Sequence, residues 1–457
     1  MTTWGKALID KQSGHVTDSL SLVNHAVDVA SVFRELCELR SLHRALAREA
    51  VQPLTDTHLD RLAVFALLHD LGKCNRGFQA RIDPKSRLRA GHIRETAALL
   101  YDDTLREGAV AALGLADMAT WFVDPDTDML HLLVAAISHH GEPAYTLDQL
   151  DAYDSEHARK LWRPDATYDP FAALAELGQA ARETFPSAFE VEAEPLSLTE
   201  PLEHRFAGLL MLADWLGSHR DAFFPFHQEG SRIPWARRQA KKALAAVGLD
   251  VSGARGRLES LPSFSRIFDI TADPKPLQVA LADADLPPLI IAESDTGSGK
   301  TEAAILHFLA LFAAGAVDGL YFALPTRVAA RELYGRVLKA MNNVFGPDHP
   351  PVLLAVPGYA RIDGEAADLL PDPAALWHEA EQMRRERAWS AERPKRYLAA
   401  PVAVGTIDQA LLSVIQVPHA HLRAACLDRS LLVIDEVHSS DVYMRYLSRR
   451  LLARHLA

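Results

Sequence analysis

Phe65-Ala66-Leu67-Leu68-His69-Asp70-Leu71-Gly72-Lys73 is an apolar run at helical spacing that ends in an imidazole, a carboxylate and an ammonium. His69 and Asp70 are neighbours, so both side chains are expected to lean toward one side of a helix end, where Gly72 lets the chain turn away. Such a pair suits a borderline divalent metal, because a carboxylate can bridge two ions while an imidazole nitrogen caps one. Alone, the dipeptide fits a polar helix end facing water equally well. The balance rests on distant residues that could complete the donor set.

The 457 residues allow roughly two or three domains. Hydrophobic residues at 49% and charged ones at 24% fit a globular protein with real cores. A net charge of -12 argues against binding nucleic acid through bulk positive charge, yet permits a local basic groove. Cys37, Cys74 and Cys426 are too few and too scattered for a disulfide framework or a thiolate zinc site, which fits a reducing compartment. The first residues carry no apolar targeting segment, and the longest apolar run, 308–317, is too short to span a bilayer. A cytoplasmic protein without a membrane partner is expected.

Residues 1–230 read as helix after helix, over 20–36, 59–71, 95–115, 129–138 and 203–218, and an all-α domain is the economical reading. Residues 231–262 read as a basic linker around Arg232, Arg237, Arg238, Lys241 and Lys242. This cluster is a solvated face or, on the sharper reading, a contact for a phosphate backbone. From 263 to 457 short buried strands (289–292, 319–324, 351–355, 402–404 and 431–435) alternate with helices (300–314 and 327–345). That alternation predicts a parallel sheet covered on both faces.

Ser294-Asp295-Thr296-Gly297-Ser298-Gly299-Lys300-Thr301 lies between a predicted strand and a predicted helix. Thr296, Gly297, Ser298 and Gly299 would turn backbone N–H groups toward phosphate, Lys300 would meet the β and γ phosphates, and the Thr301 hydroxyl would hold Mg²⁺. The first glycine of the general pattern is replaced by Ser294. Leu431-Leu432-Val433-Ile434-Asp435-Glu436-Val437-His438 is a buried strand ending in carboxylates. Asp435 would reach the Mg²⁺ shell and Glu436 would polarise the attacking water.

These segments, with Ala323-Leu324-Pro325-Thr326-Arg327 and Gly405-Thr406-Ile407-Asp408-Gln409, resemble motifs of superfamily-two helicases. Pro276-Leu277-Gln278 resembles that superfamily's glutamine motif, which implies that Gln278 reads adenine. Together with Trp4-Gly5-Lys6, His25, Asp28-Val29-Ala30, His69-Asp70, Gly91-His92, Ser138-His139-His140-Gly141 and 208–218, the chain closely resembles the CRISPR-associated nuclease–helicases of type I interference systems.

The resemblance implies an HD-type metal-dependent nuclease domain over 1–230 and a RecA-like ATP-binding helicase lobe over 263–457. It implies two metals, from the Mn, Fe, Co and Ni group or Mg. His25, His69, Asp70 and Asp214 would hold the first, with Asp70 bridging, and His92, His139 and His140 the second. Lys73 would sit just outside, orienting a carboxylate or neutralising phosphate charge, and ATP with Mg would occupy the second domain. The implied partners are single-stranded DNA and an RNA-guided surveillance complex (Cascade). The sequence ends about 20 residues past Asp435, before the second helicase lobe, so an incomplete motor is expected and a separate C-terminal half is a further expected partner. An HD phosphohydrolase of small nucleotides and a non-catalytic stub that binds DNA or the guide complex are the rival readings.

Overall fold

The computed structural model describes residues 2–10, 15–141, 155–190, 192–258, 260–295, 297–366, 386–439 and 441–456. The chain divides into two compact units, Met1–Glu38 with Leu46–Lys241, and Leu39–Ala45 with Lys242–Ala457.

The first unit is mostly helical. Its centre is the pair α1 (Leu22–Glu38) and α4 (Glu200–Gly217). Every side chain of α4 from Arg205 to Asp214 is buried. A helix that is apolar on all faces belongs inside a core, and α4 takes that place. Between them in the chain lie α2 (Asp56–Leu67) and α3 (Pro125–Ile137). The start of α2 is fixed by a capping box in which Thr55 and His58 bond each other's backbone N–H. At its far end α2 tightens into a 3-10 turn, Leu68–Cys74, where Asp70 leaves helical geometry (φ -105°, ψ 18°).

Three expectations for this unit change. It is not purely helical: β1 (Trp4–Ile9) and β2 (Val16–Ser21) form an antiparallel hairpin with Ala7 opposite Ser19. The Thr17-Asp18-Ser19 run in β2 hides the apolar alternation that marks a strand. The helix expected over 95–115 is broken into Arg94–Ala97, Ala98–Tyr101 and Asp103–Leu113. The break falls at Asp102, which accepts from Leu105 N–H as an N-cap and pairs with Arg159 at 2.5 Å. The stretch expected as a linker contains α5 (Arg232–Ala246), whose Ala236, Ala240, Ala243 and Leu244 are buried. Arg237, Arg238, Lys241 and Lys242 are exposed along it, but Arg232 is buried.

The second unit holds a six-stranded sheet in the order β6-β5-β4-β7-β3-β8. Its strands are β3 (Gly319–Leu324), β4 (Val352–Ala355), β5 (Arg361–Ile362), β6 (Glu365–Ala366), β7 (Val402–Thr406) and β8 (Ser430–Ile434). β4, β7, β3 and β8 run parallel, while β5 and β6 are antiparallel additions at one edge. α6 (Lys300–Ala313) and α7 (Arg327–Phe345) pack on it, so that Phe308, Phe312, Phe322, Val337 and Val404 share one core. The strand expected over 289–292 does not form, and Ile291 is 86% exposed. The outer edge of β8 has no partner among the described residues. Among the described residues no helix is long and apolar enough to cross a membrane.

Candidate metal centre

The 3-10 turn after α2 presents Asp70 so that its two carboxylate oxygens face different neighbours. Oδ2 lies 3.1 Å from His25 Nε2 and 3.3 Å from His69 Nε2. Oδ1 lies 3.3 Å from His92 Nε2 and 3.7 Å from His139 Nε2. Asp214, projecting from α4, reaches the first side, with Oδ1 3.9 Å from His25 Nε2 and 3.8 Å from His69 Nε2. His140 joins the second, its Nε2 3.1 Å from that of His92. The seven side chains therefore gather into two adjoining groups, His25–His69–Asp214 and Asp70–His92–His139–His140, each with donor atoms within 4.8 Å of one another. The first group is wholly buried, whereas His92 is half-buried and His140 exposed, so the second faces solvent.

Gly72 has a different part from the turn expected of it. A Cβ on Gly72 would lie 1.8 Å from the carbonyl oxygen of His92 and 2.2 Å from Thr96 Oγ1. The missing side chain is what lets the His92 segment press against the turn that carries Asp70. Asn75 secures the same approach by donating its amide to the carbonyls of Gly72 and Gly91, both at 2.8 Å.

Surrounding hydrogen bonds set the tautomers. His69 and His139 donate Nδ1–H to the carbonyls of Ala66 and Ala136 at 2.8 and 2.9 Å, leaving each Nε2 lone pair directed into the cluster. His25 differs. Arg220 can only donate, and its Nη2 lies 3.2 Å from His25 Nδ1, so that nitrogen accepts and Nε2 carries the proton given to Asp70. Burial pushes His139 down to about 3 and His92 down to about 4, and also lowers His25 and His140. Burial would raise the Asp70 carboxyl, but Lys73, His69 and His25 outweigh it and hold it well below the usual range. Asp214 is likewise held down against burial, with Lys6 the foremost opposing charge. Burial thus keeps His25, His92, His139 and His140 neutral beside ionised carboxylates. His69 Nε2 and Asp70 Oδ1 are buried without a hydrogen-bond partner. Unsatisfied polar atoms are costly in an interior, and these two are the atoms a divalent ion would satisfy. The donors present fit such ions.

Lys73 is buried, with its ammonium 2.5 Å from Asp70 Oδ2 and 3.1 Å from the carbonyl of Gly5. That placement matches orienting a carboxylate rather than meeting solvent-borne phosphate. Three contributions to the centre were not assigned from sequence, although Arg232 stood in the basic cluster and Ser218 in the stretch 208–218. Ser218 Oγ donates to Asp214 Oδ1 at 2.8 Å, Arg220 bonds His25, and Arg220 and Arg232 clamp the fully buried Asp28 at 2.6–2.8 Å. Ser218 follows Asp214 by one helical turn and was within reach of pattern reading. Arg220 and Arg232 lie about 200 residues from Asp28, and nothing local couples them.

In the second unit Gly297 and Gly299 adopt the left-handed φ values of 78° and 87° that a phosphate loop needs. Lys300 Nζ donates to the carbonyls of Ser294 and Asp295 at 2.7 and 3.2 Å. Ser298 Oγ is buried without a partner, and Thr301 Oγ1 lies 3.5 Å from Arg336 Nη1. Thr296 lies outside the described residues. Gln278 is buried, accepting from Lys275 N–H at 2.7 Å and donating to the Gly299 carbonyl at 3.3 Å, so its amide is turned onto the loop. At the carboxyl end of β8 Asp435 is half-buried and Glu436 exposed, the latter at φ 53° with its carboxylate 3.2 Å from His438 Nε2.

Residues 4–223 match the family described as Cas3, HD domain. The CRISPR-associated endonuclease/helicase Cas3 of Thermus thermophilus is 30% identical over 445 residues, covering 94% of this chain and 46% of that protein. The fold is that of T. fusca Cas3-AMPPNP, with a TM-score of 0.66, 24% identity and coverage of 99% of this chain and 48% of that one. A chain of a CRISPR RNA-guided surveillance complex, pre-nicking, shares it with a TM-score of 0.58, 21% identity and coverage of 99% and 45%. The chain spans about half the length of the curated relatives it matches. The chain is thus similar to Cas3 proteins along nearly all of its own length, and the HD-domain match falls on the unit that holds the histidine–aspartate cluster.

Proposed function

We propose that the first unit is a metal-dependent nuclease for single-stranded DNA, and that the second is the ATP-binding lobe of a DNA motor acting in CRISPR interference. The observation that carries the reading is the division of Asp70: its two oxygens serve two adjoining donor groups. His25, His69, Asp70 and Asp214 would hold one divalent ion, and Asp70, His92, His139 and His140 the other. Two such ions supply the Lewis acidity that phosphodiester hydrolysis needs, activating water and stabilising the leaving oxygen.

The chain's own residues prepare that chemistry. Lys73 fixes the Asp70 carboxylate, and the Ala66 and Ala136 carbonyls hold the Nδ1–H of His69 and His139, which aims each Nε2 into the cluster. Burial around His25, His69 and Asp214 excludes water on one side, while exposed His140 leaves the strand an approach on the other. In the second unit Lys300, Thr301 and Asp435 would hold ATP with Mg, Gln278 steadies the phosphate loop through the Gly299 carbonyl, and Glu436 would position water. An RNA-guided surveillance complex would deliver the displaced strand, in keeping with the similarity to Cas3 proteins.

The test is digestion of circular single-stranded DNA with Mn²⁺, Ni²⁺ or Mg²⁺ by the wild type and by Asp70→Ala. Wild type should degrade the circle with at least one of these ions, and the variant should lose at least about a hundredfold in rate. Equal digestion by both proteins overturns the proposal. Turnover of mononucleotides with circular DNA left intact would point to a small-nucleotide phosphohydrolase. DNA binding without turnover, unchanged in Asp70→Ala, would point to a non-catalytic role.

A further inference from the structure

The four parallel strands of the second unit end at one edge of the sheet. Ala355 is in register with Gly405, Leu324 with Thr406, and Ala323 with Ile434. Segments leaving β4, β7, β3 and β8 therefore emerge side by side, at the edge where open α/β sheets receive their ligands. Three of these segments carry the helicase-like motifs around Thr326, Thr406 and Asp435. The fourth, Val356-Pro357-Gly358-Tyr359, carries none.

This segment is a tight turn, with Tyr359 N–H donating to the Val356 carbonyl at 3.0 Å. Gly358 sits at φ 79° with no atom of the described residues within 4 Å of the position its Cβ would take, so the turn is a bare crest among them. Tyr359 follows the crest and is 57% exposed. Its ring is braced by Arg331, whose guanidinium carbon lies 5.7 Å from the ring centroid. Arg331 is exposed on α7, one helical turn beyond exposed Arg327. A water-facing aromatic ring held beside a guanidinium, with a second cation next to it, suits a flat, anion-linked ligand better than a protein core.

We propose that Tyr359, braced by Arg331, is a stacking platform for a base of single-stranded nucleic acid running along this edge. The proposal rests on the reading above that this unit engages single strands, and it adds which side chain contacts a base. Stacking is indifferent to base identity, because every base offers a π face, and it contributes affinity without a phosphate contact.

The experiment measures binding of the full chain, by fluorescence anisotropy, to a labelled oligothymidine and to an abasic strand of equal length and charge. Tyr359→Ala should weaken oligothymidine binding roughly tenfold, leave abasic binding unchanged and leave the salt slope unchanged. Tyr359→Phe should retain wild-type binding. Wild-type affinity of Tyr359→Ala for oligothymidine would overturn the platform while leaving strand binding intact. Equal losses on both strands would also overturn it, since stacking cannot act on an abasic strand. Wild-type protein that binds neither strand would instead remove the underlying reading, and the platform with it.

Discussion

Acidification of the metal-free protein should destabilise the first unit well before its carboxylates titrate. His139 and His92 are held neutral to about pH 3 and 4 by burial, whereas in the unfolded chain each has a pKa near 6.5. Below 6.5 the unfolded state therefore binds protons that the folded state refuses, and stability falls as pH falls. At pH 5 both folded values are still out of reach, so each histidine contributes about 1.5 units, at 1.36 kcal/mol per unit, or roughly 2 kcal/mol. The two share Asp70 as a neighbour, so the pair should contribute somewhat less than about 4 kcal/mol between pH 8 and pH 5. Asp70 and Asp214, held low, add a loss of the same sign only below their ordinary range near 4. Urea unfolding in EDTA at pH 8, 7, 6 and 5, followed by tryptophan fluorescence, measures this directly. Trp4, Trp121, Trp162, Trp215 and Trp235 all report on this unit. A His92→Gln/His139→Gln variant should show a flattened dependence even if it is less stable throughout. A wild-type curve that is level between pH 7 and pH 5, or a variant with the wild-type slope, would refute the argument.

Because burial keeps His25, His92, His139 and His140 neutral at pH 7, loading the centre with Ni²⁺ should release less than about one proton, read by titration calorimetry in buffers of different ionisation enthalpy; release of two or more would mean that these histidines are charged. Gly72→Ala must displace the His92 backbone, and should cost about 3 kcal/mol in urea unfolding and lower the bound-metal count measured by elemental analysis. Asp28→Ala leaves Arg220 and Arg232 buried without their carboxylate and should cost about 3–5 kcal/mol, with Asp28→Asn milder, both read by thermal unfolding. Lys300→Ala should weaken ATP binding at least about tenfold by calorimetry and leave digestion of single-stranded circles by the first unit unchanged.

What the sequence made legible depends on the range of the interactions involved. α7 begins and ends where periodicity places it, at Arg327 and Phe345, because Thr326 caps it and its apolar stripe is local. The His-Asp pair and the doublet His139-His140 stand out because each sets two donor residues side by side in the chain. The break at Asp102 escaped reading because it depends on Arg159, 57 residues away. The apolar stretch 289–292 has the composition of a strand but does not form one, although the outer edge of β8 has no partner among the described residues; composition alone does not set strand pairing. Asp28 shows the same limit from the other side. Nothing near Asp28 in the sequence tells what matches its buried charge, and only the positions of Arg220 and Arg232 show it.

Those arginines give the centre an asymmetry. His69 and His139 offer their Nε2 lone pairs as they stand, since backbone carbonyls fix the proton on Nδ1. His25 does not, because Arg220 occupies Nδ1 and leaves the proton on Nε2, pointing at Asp70. For His25 to act as a donor through Nε2, that proton must move and the Arg220 contact must be given up. The loss is modest, on the order of 1 kcal/mol for one hydrogen bond. Arg220 keeps its other partners, Asp28 Oδ2 at 2.8 Å and the Phe224 carbonyl at 2.7 Å. The arginine that anchors the buried Asp28 thus also sets how readily His25 joins the cluster, coupling the packing of α1 to the donor set that Asp70 divides.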